Sequence, residues 1–271
     1  MLELSGDSIE LKHLQEITKS GESEFWFLDA LDTIDKKVLG KIPKISIVVE
    51  NSLAQFHAFP MDSSLTQVEM NEHVEWELKN YLADFRRNDY ITDVRQMRMN
   101  AREQVLDVLA VSLKKSFIFD LQTRMGERKL ILGSVDVPCY AAEDSLLQSH
   151  PEVKARQCML VGLSPDRVDL GILSNAKMMI YRYQPYHAVE DGVAFLLQVA
   201  KEYEGISLYV YGDGYSFAWQ KALRKEFGQR VMPLNPFRRM RISSLIAHFS
   251  KYLGSECRFA CCIGSALGEQ G

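Results

Sequence analysis

The segment 158–184, CMLVGLSPDRVDLGILSNAKMMIYRYQ, leaves this chain few choices. Residues 159–163 are an apolar run of strand length, and Ser164-Pro165-Asp166 turns the chain back. Residues 167–174 form a second strand, with Val168, Leu170 and Ile172 on one face. Asn175-Ala176 supplies the next tight turn, because Asn tolerates the left-handed backbone that a short hairpin needs. Residues 177–183 make a third strand, and a helix follows from about Val189 to Tyr203. A three-strand meander running straight into a helix predicts one half of an α/β molecule.

The 271 residues leave room for a counterpart, as one large or two ordinary domains with real cores. Apolar residues make up 46% and charged residues 25%, the balance of a globular chain and not a disordered one. A net charge of -4 argues against a surface built to grip nucleic acid. No apolar run approaches the ~20 residues of a membrane span. Met1-Leu2-Glu3 leads into strand-like alternation and not into a secretory leader. The five cysteines are odd in number, lack metal spacing and fit a reducing cytoplasm.

Along the first half, residues 2–14 alternate around a hairpin turn at Ser5-Gly6-Asp7. Phe27, Leu31, Ile34 and Val38 follow helical spacing, stopped by Gly40 and Pro43. Residues 45–50 and 54–59 read as strands, the second closed by Pro60. Ser64 with Gln67 predicts a capping box for a helix to about Leu82, with Val74, Leu78, Tyr81 and Leu82 on its stripe and Trp76 off it. Residues 91–99 and 105–112 read as a strand pair. Phe117, Ile118, Leu121 and Met125 mark a helix, 129–137 a strand and 139–148 a short helix. The polar stretch 149–157, with Pro151, is the expected domain boundary. Beyond the meander, 206–211 is a strand, Gly212-Asp213-Gly214 a loop, 216–227 a helix with Trp219, Leu223 and Phe227 inward, and 230–234 a short strand. Residues 243–252 read as helical, and 260–267 as a closing helix of small residues.

In this order of elements the chain resembles the PilM family, the actin-like component of type IV pilus assembly. It resembles the cytoplasmic domain of the type II secretion protein GspL more weakly. The resemblance runs over nearly the whole chain. Trp76-Glu77-Leu78 precedes Asp89-Tyr90, residues 108–111 precede Lys114-Lys115, and the meander follows. Gly212-Asp213-Gly214 stands where the family has its adenosine-side glycines, Asn235-Pro236-Phe237 matches a recurring Asn-Pro-Phe, and FACCIGSAL (259–267) resembles the terminal helix. The resemblance implies an α/β chain with the actin-like ATPase (ribonuclease H-like) fold, two lobes around a nucleotide cleft. The first lobe is expected over 1–150, with 61–128 as a small inserted α/β subdomain and a helix in 255–271 returning to it; the second is expected over 151–254. The implied partner is the cytoplasmic tail of a single-span inner-membrane pilus protein of the PilN type. The helix 64–82 and the strands near 45–59 are the expected groove. The implied location is cytoplasmic, at the inner membrane through that partner.

The family's nucleotide motifs are altered here. Its first phosphate motif, Asp-x-Gly, falls on Glu3 and Ser5, and its usual Lys on Glu10. Its second falls on Gly162 and Ser164. The adenosine loop keeps Gly212 and Gly214 but places Asp213 between them; a carboxylate aimed at phosphates costs on the order of 1–4 kcal/mol. Asp169-Leu170-Gly171 also spells Asp-x-Gly, but Asp169 reads more simply as the outward residue of an alternating strand. Three altered sites together predict a pseudo-ATPase, an actin-like frame kept as a docking platform with no bound cofactor. Two alternatives stand beside it. One is an active ATPase holding ATP and magnesium through Glu3 and Glu10 or Asp213. The other is head-to-tail self-assembly.

The remaining features read as structural. Arg86-Arg87 and the basic run from Arg238 to Arg241 read as solvated loops. The histidines lack ligand spacing, and His57 reads as a satisfied strand residue. Gly162-Leu163-Ser164-Pro165 is no nucleophile elbow, because Pro follows the Ser where Gly is required. Trp26, Trp76 and Trp219 read as core, with a groove as the other place for Trp76.

Overall fold

A computed structural model describes residues 2–5, 8–17, 25–34, 39–40, 42, 44–203, 205–244, 246 and 249–268. Met1, Gly6, Asp7, Val38 and Pro43, named above, lie outside the described residues, as does part of the helix expected over 243–252.

The meander is the centre of the second half. Strands β8 (Cys158–Leu163), β9 (Arg167–Ser174) and β10 (Lys177–Pro185) are antiparallel neighbours. Helix α5 (Val189–Ala200) follows, three residues shorter at its end than the periodicity suggests. Strand β11 (Ser207–Tyr211) then returns parallel to β8, helix α6 (Phe217–Phe227) starts from the Ser216 cap, and β12 (Val231–Pro233) closes the sheet. The strand order is β10-β9-β8-β11-β12. Val168, Leu170 and Ile172 pack with Leu196, Trp219 and Leu223 from α5 and α6. The turn from β9 to β10 holds both central residues at positive φ, Asn175 at 52° and Ala176 at 62°. That twist matches the flanking strands but crowds an alanine Cβ. Ala176→Gly is expected to raise stability by about 1 kcal/mol, read as a higher denaturant midpoint at unchanged slope.

The first half is built from shorter pieces. A hairpin of β1 (Leu2–Ser5) and β2 (Ser8–Leu11) is joined in parallel by β13 (Arg241–Ile242) from the far end of the chain. Helix α1 (Trp26–Leu31) tightens into three-residue turns, with Asp32 N–H on Asp29 O at 3.2 Å and Thr33 N–H on Ala30 O at 3.1 Å. Strands β3 (Ile45–Val48) and β7 (Leu132–Asp136) are parallel neighbours. Helix α4 (Pro138–Ser149) begins on a proline, whose missing N–H goes unneeded at a first helical position. The last helix, α7 (Ala260–Gly268), packs along α4 and beside β3.

Between β3 and β7 a small α/β unit is inserted, in strand order β4-β6-β5. Strand β4 (Ala54–Asp62) continues through Pro60, where the sequence suggested a stop; β4 is an edge strand, so a residue without N–H is tolerated. Helix α2 (Gln67–Tyr81), strands β5 (Tyr90–Asn100) and β6 (Val105–Lys114) and helix α3 (Lys115–Glu127) complete the unit. The alternation of β6 serves two layers: Val108 and Ala110 face Val74 and Leu78 of α2, while Leu109 and Val111 face Phe117 and Leu121 of α3. The helix cap is Thr66 with Glu69, not Ser64 with Gln67. Ser64 is taken by the Asp62 carboxylate, which accepts its N–H at 2.8 Å and its hydroxyl at 2.7 Å. Trp219 is core and Trp26 half-buried, but Trp76, off the α2 stripe, is 57% exposed. All five cysteines are free. Among the described residues no helix is long and apolar enough to cross a membrane.

Candidate functional site

Open α/β sheets hold ligands beyond the carboxyl ends of their parallel strands. Here the segment leaving β3 meets the second sheet at that place. Asn51 Nδ2 donates to Asp169 Oδ2 at 2.8 Å. Asp169 is 2% exposed, contrary to its reading as an outward residue. Strand β9 is covered on both faces, so alternation there separates two interiors rather than interior from water. Arg167 donates to Asp169 Oδ1 from Nε at 2.9 Å and from Nη2 at 2.6 Å, and the Tyr181 hydroxyl donates to the same oxygen. The Arg167 guanidinium lies 3.9 Å over the Tyr183 ring and 4.6 Å over Phe56 of β4. Burial pushes the Asp169 carboxyl up, and Arg167, Tyr181 and Asn51 oppose that shift.

The suggested phosphate positions divide into two groups. Gly162, Ser164, Gly212 and Gly214 are brought together where β8 and β11 end. A Cβ on Gly162 would stand 2.5 Å from the Tyr211 hydroxyl, so the space over this glycine belongs to that side chain. Ser164 N–H donates to Arg167 O at 3.0 Å, Gly212 N–H to Cys257 O at 3.2 Å and Gly214 N–H to Leu163 O at 2.9 Å. Gly212 has φ +106°, and a Cβ there would meet Leu163 O at 2.3 Å. Glycine at 212 therefore serves chain-on-chain packing and a left-handed backbone. Asp213 is exposed. Glu3 and Ser5 lie in the separate hairpin, opposite Glu10 and Ser8 respectively. The Glu10 carboxylate takes Lys12 Nζ at 2.9 Å, and that contact holds its pKa below the usual range.

A second buried charge joins all three units and was missed in the sequence. Glu143 of α4, 4% exposed, accepts the Met178 N–H of β10 at 2.9 Å and an ion pair from Arg95 of β5. Arg95 lies 3.8 Å over the Tyr140 ring. The available signal was a carboxylate set among Cys139, Ala142 and Leu146 on one helix face. Nearby, burial pushes the Asp136 carboxyl up to about 6; the Val137 N–H opposes this and the Asp144 charge adds to it. Its folded pKa lies above the ordinary 3.8, so the native state holds the proton longer than the unfolded chain. The resulting destabilisation grows between those two values and is complete above the upper one. Asp136→Asn is expected to gain ~1–2 kcal/mol at pH 7.5 and almost nothing at pH 4, in paired denaturant titrations.

A groove of about 280 Å³ runs beside α2. Val74 and Leu78 form one wall, Phe85, Tyr90 and Val94 the other. Arg87 Nη1 meets Glu75 at 3.2 Å, and Lys115 is also part of the groove's lining. Its far wall is the 85–94 segment.

Two α/β halves, one carrying an inserted α/β unit, make up the actin-like ATPase fold. Among solved structures the chain is similar to one described as the PilM-PilN type IV pilus biogenesis complex, with TM-score 0.73 and 14% identity over 100% of this chain and 95% of that chain. It is also similar to a Bacteroides thetaiotaomicron protein with actin-like ATPase fold and unknown function, with TM-score 0.52 and 16% identity over 85% of this chain and 83% of that one. A more distant likeness is to the cytoplasmic domain of EpsL, an inner membrane component of the type II secretion system of Vibrio cholerae, with TM-score 0.47 and 11% identity over 86% and 87% of the two chains. No family model matches the sequence, and no curated protein matches it either.

Proposed function

We propose that this chain is a non-catalytic actin-like scaffold of a bacterial type IV pilus or related secretion machine. It docks the cytoplasmic tail of a single-span inner-membrane protein of the PilN type, and through it sits at the membrane. The observation that carries the non-catalytic reading is the sealed second phosphate position. Tyr211 fills the space over Gly162, and the N–H groups of Ser164, Gly212 and Gly214 are spent on main-chain carbonyls. A phosphate needs such donors unspent and facing it. The residues present therefore do not fit ATP and magnesium. Titration calorimetry with magnesium ATP, carried to millimolar nucleotide, is expected to show no heat; micromolar binding would overturn this reading and favour an active ATPase.

Docking is supported by the groove beside α2, with Val74, Leu78, Phe85 and Val94 among its walls and Arg87 and Lys115 in its lining, and by a similar fold described in complex with PilN. Val94 is exposed, so a charge there leaves the fold intact. In fluorescence anisotropy with labelled cytoplasmic tails of single-span pilus proteins, Val94→Arg is expected to weaken binding at least tenfold, the scale of burying one unpaired charge. Equal affinity would move the docking site elsewhere.

A further inference from the structure

We propose that α2 is also the arm of a latch, coupling the groove to the join between the halves at Asn51 and Asp169. The proposal rests on reading that groove as the docking site. Val74 and Leu78 wall the groove from α2; Tyr81 leaves the same helix toward the second half, and Glu77 turns toward β4. The Tyr81 hydroxyl meets the Tyr183 hydroxyl of β10 at 2.9 Å, across 102 residues of chain. His57 of β4 stacks on the Tyr81 ring at 4.2 Å and meets Glu77 at 3.3 Å, which fixes the direction of the tyrosine. Tyr183 in turn lies under Arg167 at 3.9 Å, Arg167 holds Asp169, and Asp169 holds Asn51. One continuous set of contacts therefore runs from the groove wall to the join between the halves. A segment that shifts α2 on entering the groove acts on that join, and loosening the join alters the groove by the same free energy.

Hydrogen exchange tests this without any partner. Tyr183→Phe keeps the ring beneath Arg167 and removes only the hydroxyl contact. Arg167→Lys keeps the charge and removes the planar fork and the stack. In each variant the amides of 74–81 and 85–90 are expected to exchange about fivefold faster, the scale of one net hydrogen bond. The double variant is expected to match the faster single variant, because both act on one path. Unchanged exchange at 74–81 in Tyr183→Phe, or additive effects in the double variant, overturns the latch. The amides of β8 and β11 report folding, and if Arg167→Lys disturbs them, Tyr183→Phe decides alone. A tail that fails to bind would remove the docking reading and leave this result standing. Unchanged exchange would remove the latch and leave docking standing.

Discussion

Gly264→Ala unseats the last helix and lowers stability by about 3 kcal/mol or more. A Cβ built on Gly264 falls 1.6 Å from Ala141 O and 2.5 Å from Ala141 C, both main-chain atoms of α4. No rotamer relieves a clash with backbone, so α7 must move away from α4. The movement opens contacts around Ala260, Ile263 and Ser265, all buried. It also draws on the cluster in which Ile263 and Phe259 meet Leu11 and Phe237, which ties the N-terminal hairpin to the end of the chain. The thermal midpoint is expected to fall by about 6–12 °C, followed by circular dichroism. Gly126→Ala is the control. It lies inside α3 with no atom within 4 Å of a built Cβ, so the same substitution is expected to raise stability by ~0.5 kcal/mol. Equal effects at the two positions would mean that the close approach of α7 to α4 contributes nothing.

The parts of the fold legible in the sequence are those where local chemistry and burial agree. The β8–β10 meander shows its strands because each turn carries its own chemistry, Pro165 in one and Asn175 in the other. Helix α6 shows its inward residues because its outer face is polar. One misreading is local, and the others arise where a distant element decides. Thr66 rather than Ser64 caps α2 because Asp62, two residues before Ser64, captures it. Pro60 does not end β4, since whether a strand lies at a sheet edge depends on pairing with residues some fifty positions away. Asp169 looked solvent-facing because alternation records two environments without saying what they are. Gly162 was legible as a position where a side chain is excluded, but what excludes it, Tyr211, belongs to another strand. Arg95 and Glu143 meet across units of the chain, and nothing local in either segment names the other.

The second large effect is expected at Asp169→Ala, about 3–5 kcal/mol of destabilisation at neutral pH. The substitution removes the acceptor shared by Arg167, Tyr181 and Asn51. Arg167 then remains as an uncompensated cation in a site that is mostly shielded from water, with side-chain exposure of 13%. Its stacking on Tyr183 and Phe56 persists, but neither ring replaces an anion. Removing both charges tests the source of the loss. In an Arg167→Met, Asp169→Leu double variant no charge is stranded, and the destabilisation is expected to be smaller than for Asp169→Ala alone, because a buried ion pair replaced by apolar groups of similar volume is often close to neutral. Chemical denaturation of the two variants and the parent decides it. A double variant worse than the single one would show that the pair itself, through its bonds to Asn51 and Tyr181, contributes net stability to the join between the halves. The milder outcome would assign the loss in Asp169→Ala to the stranded guanidinium. The carboxylate's place at the carboxyl ends of the strands would then matter for fixing how the halves meet, more than for the stability of either one.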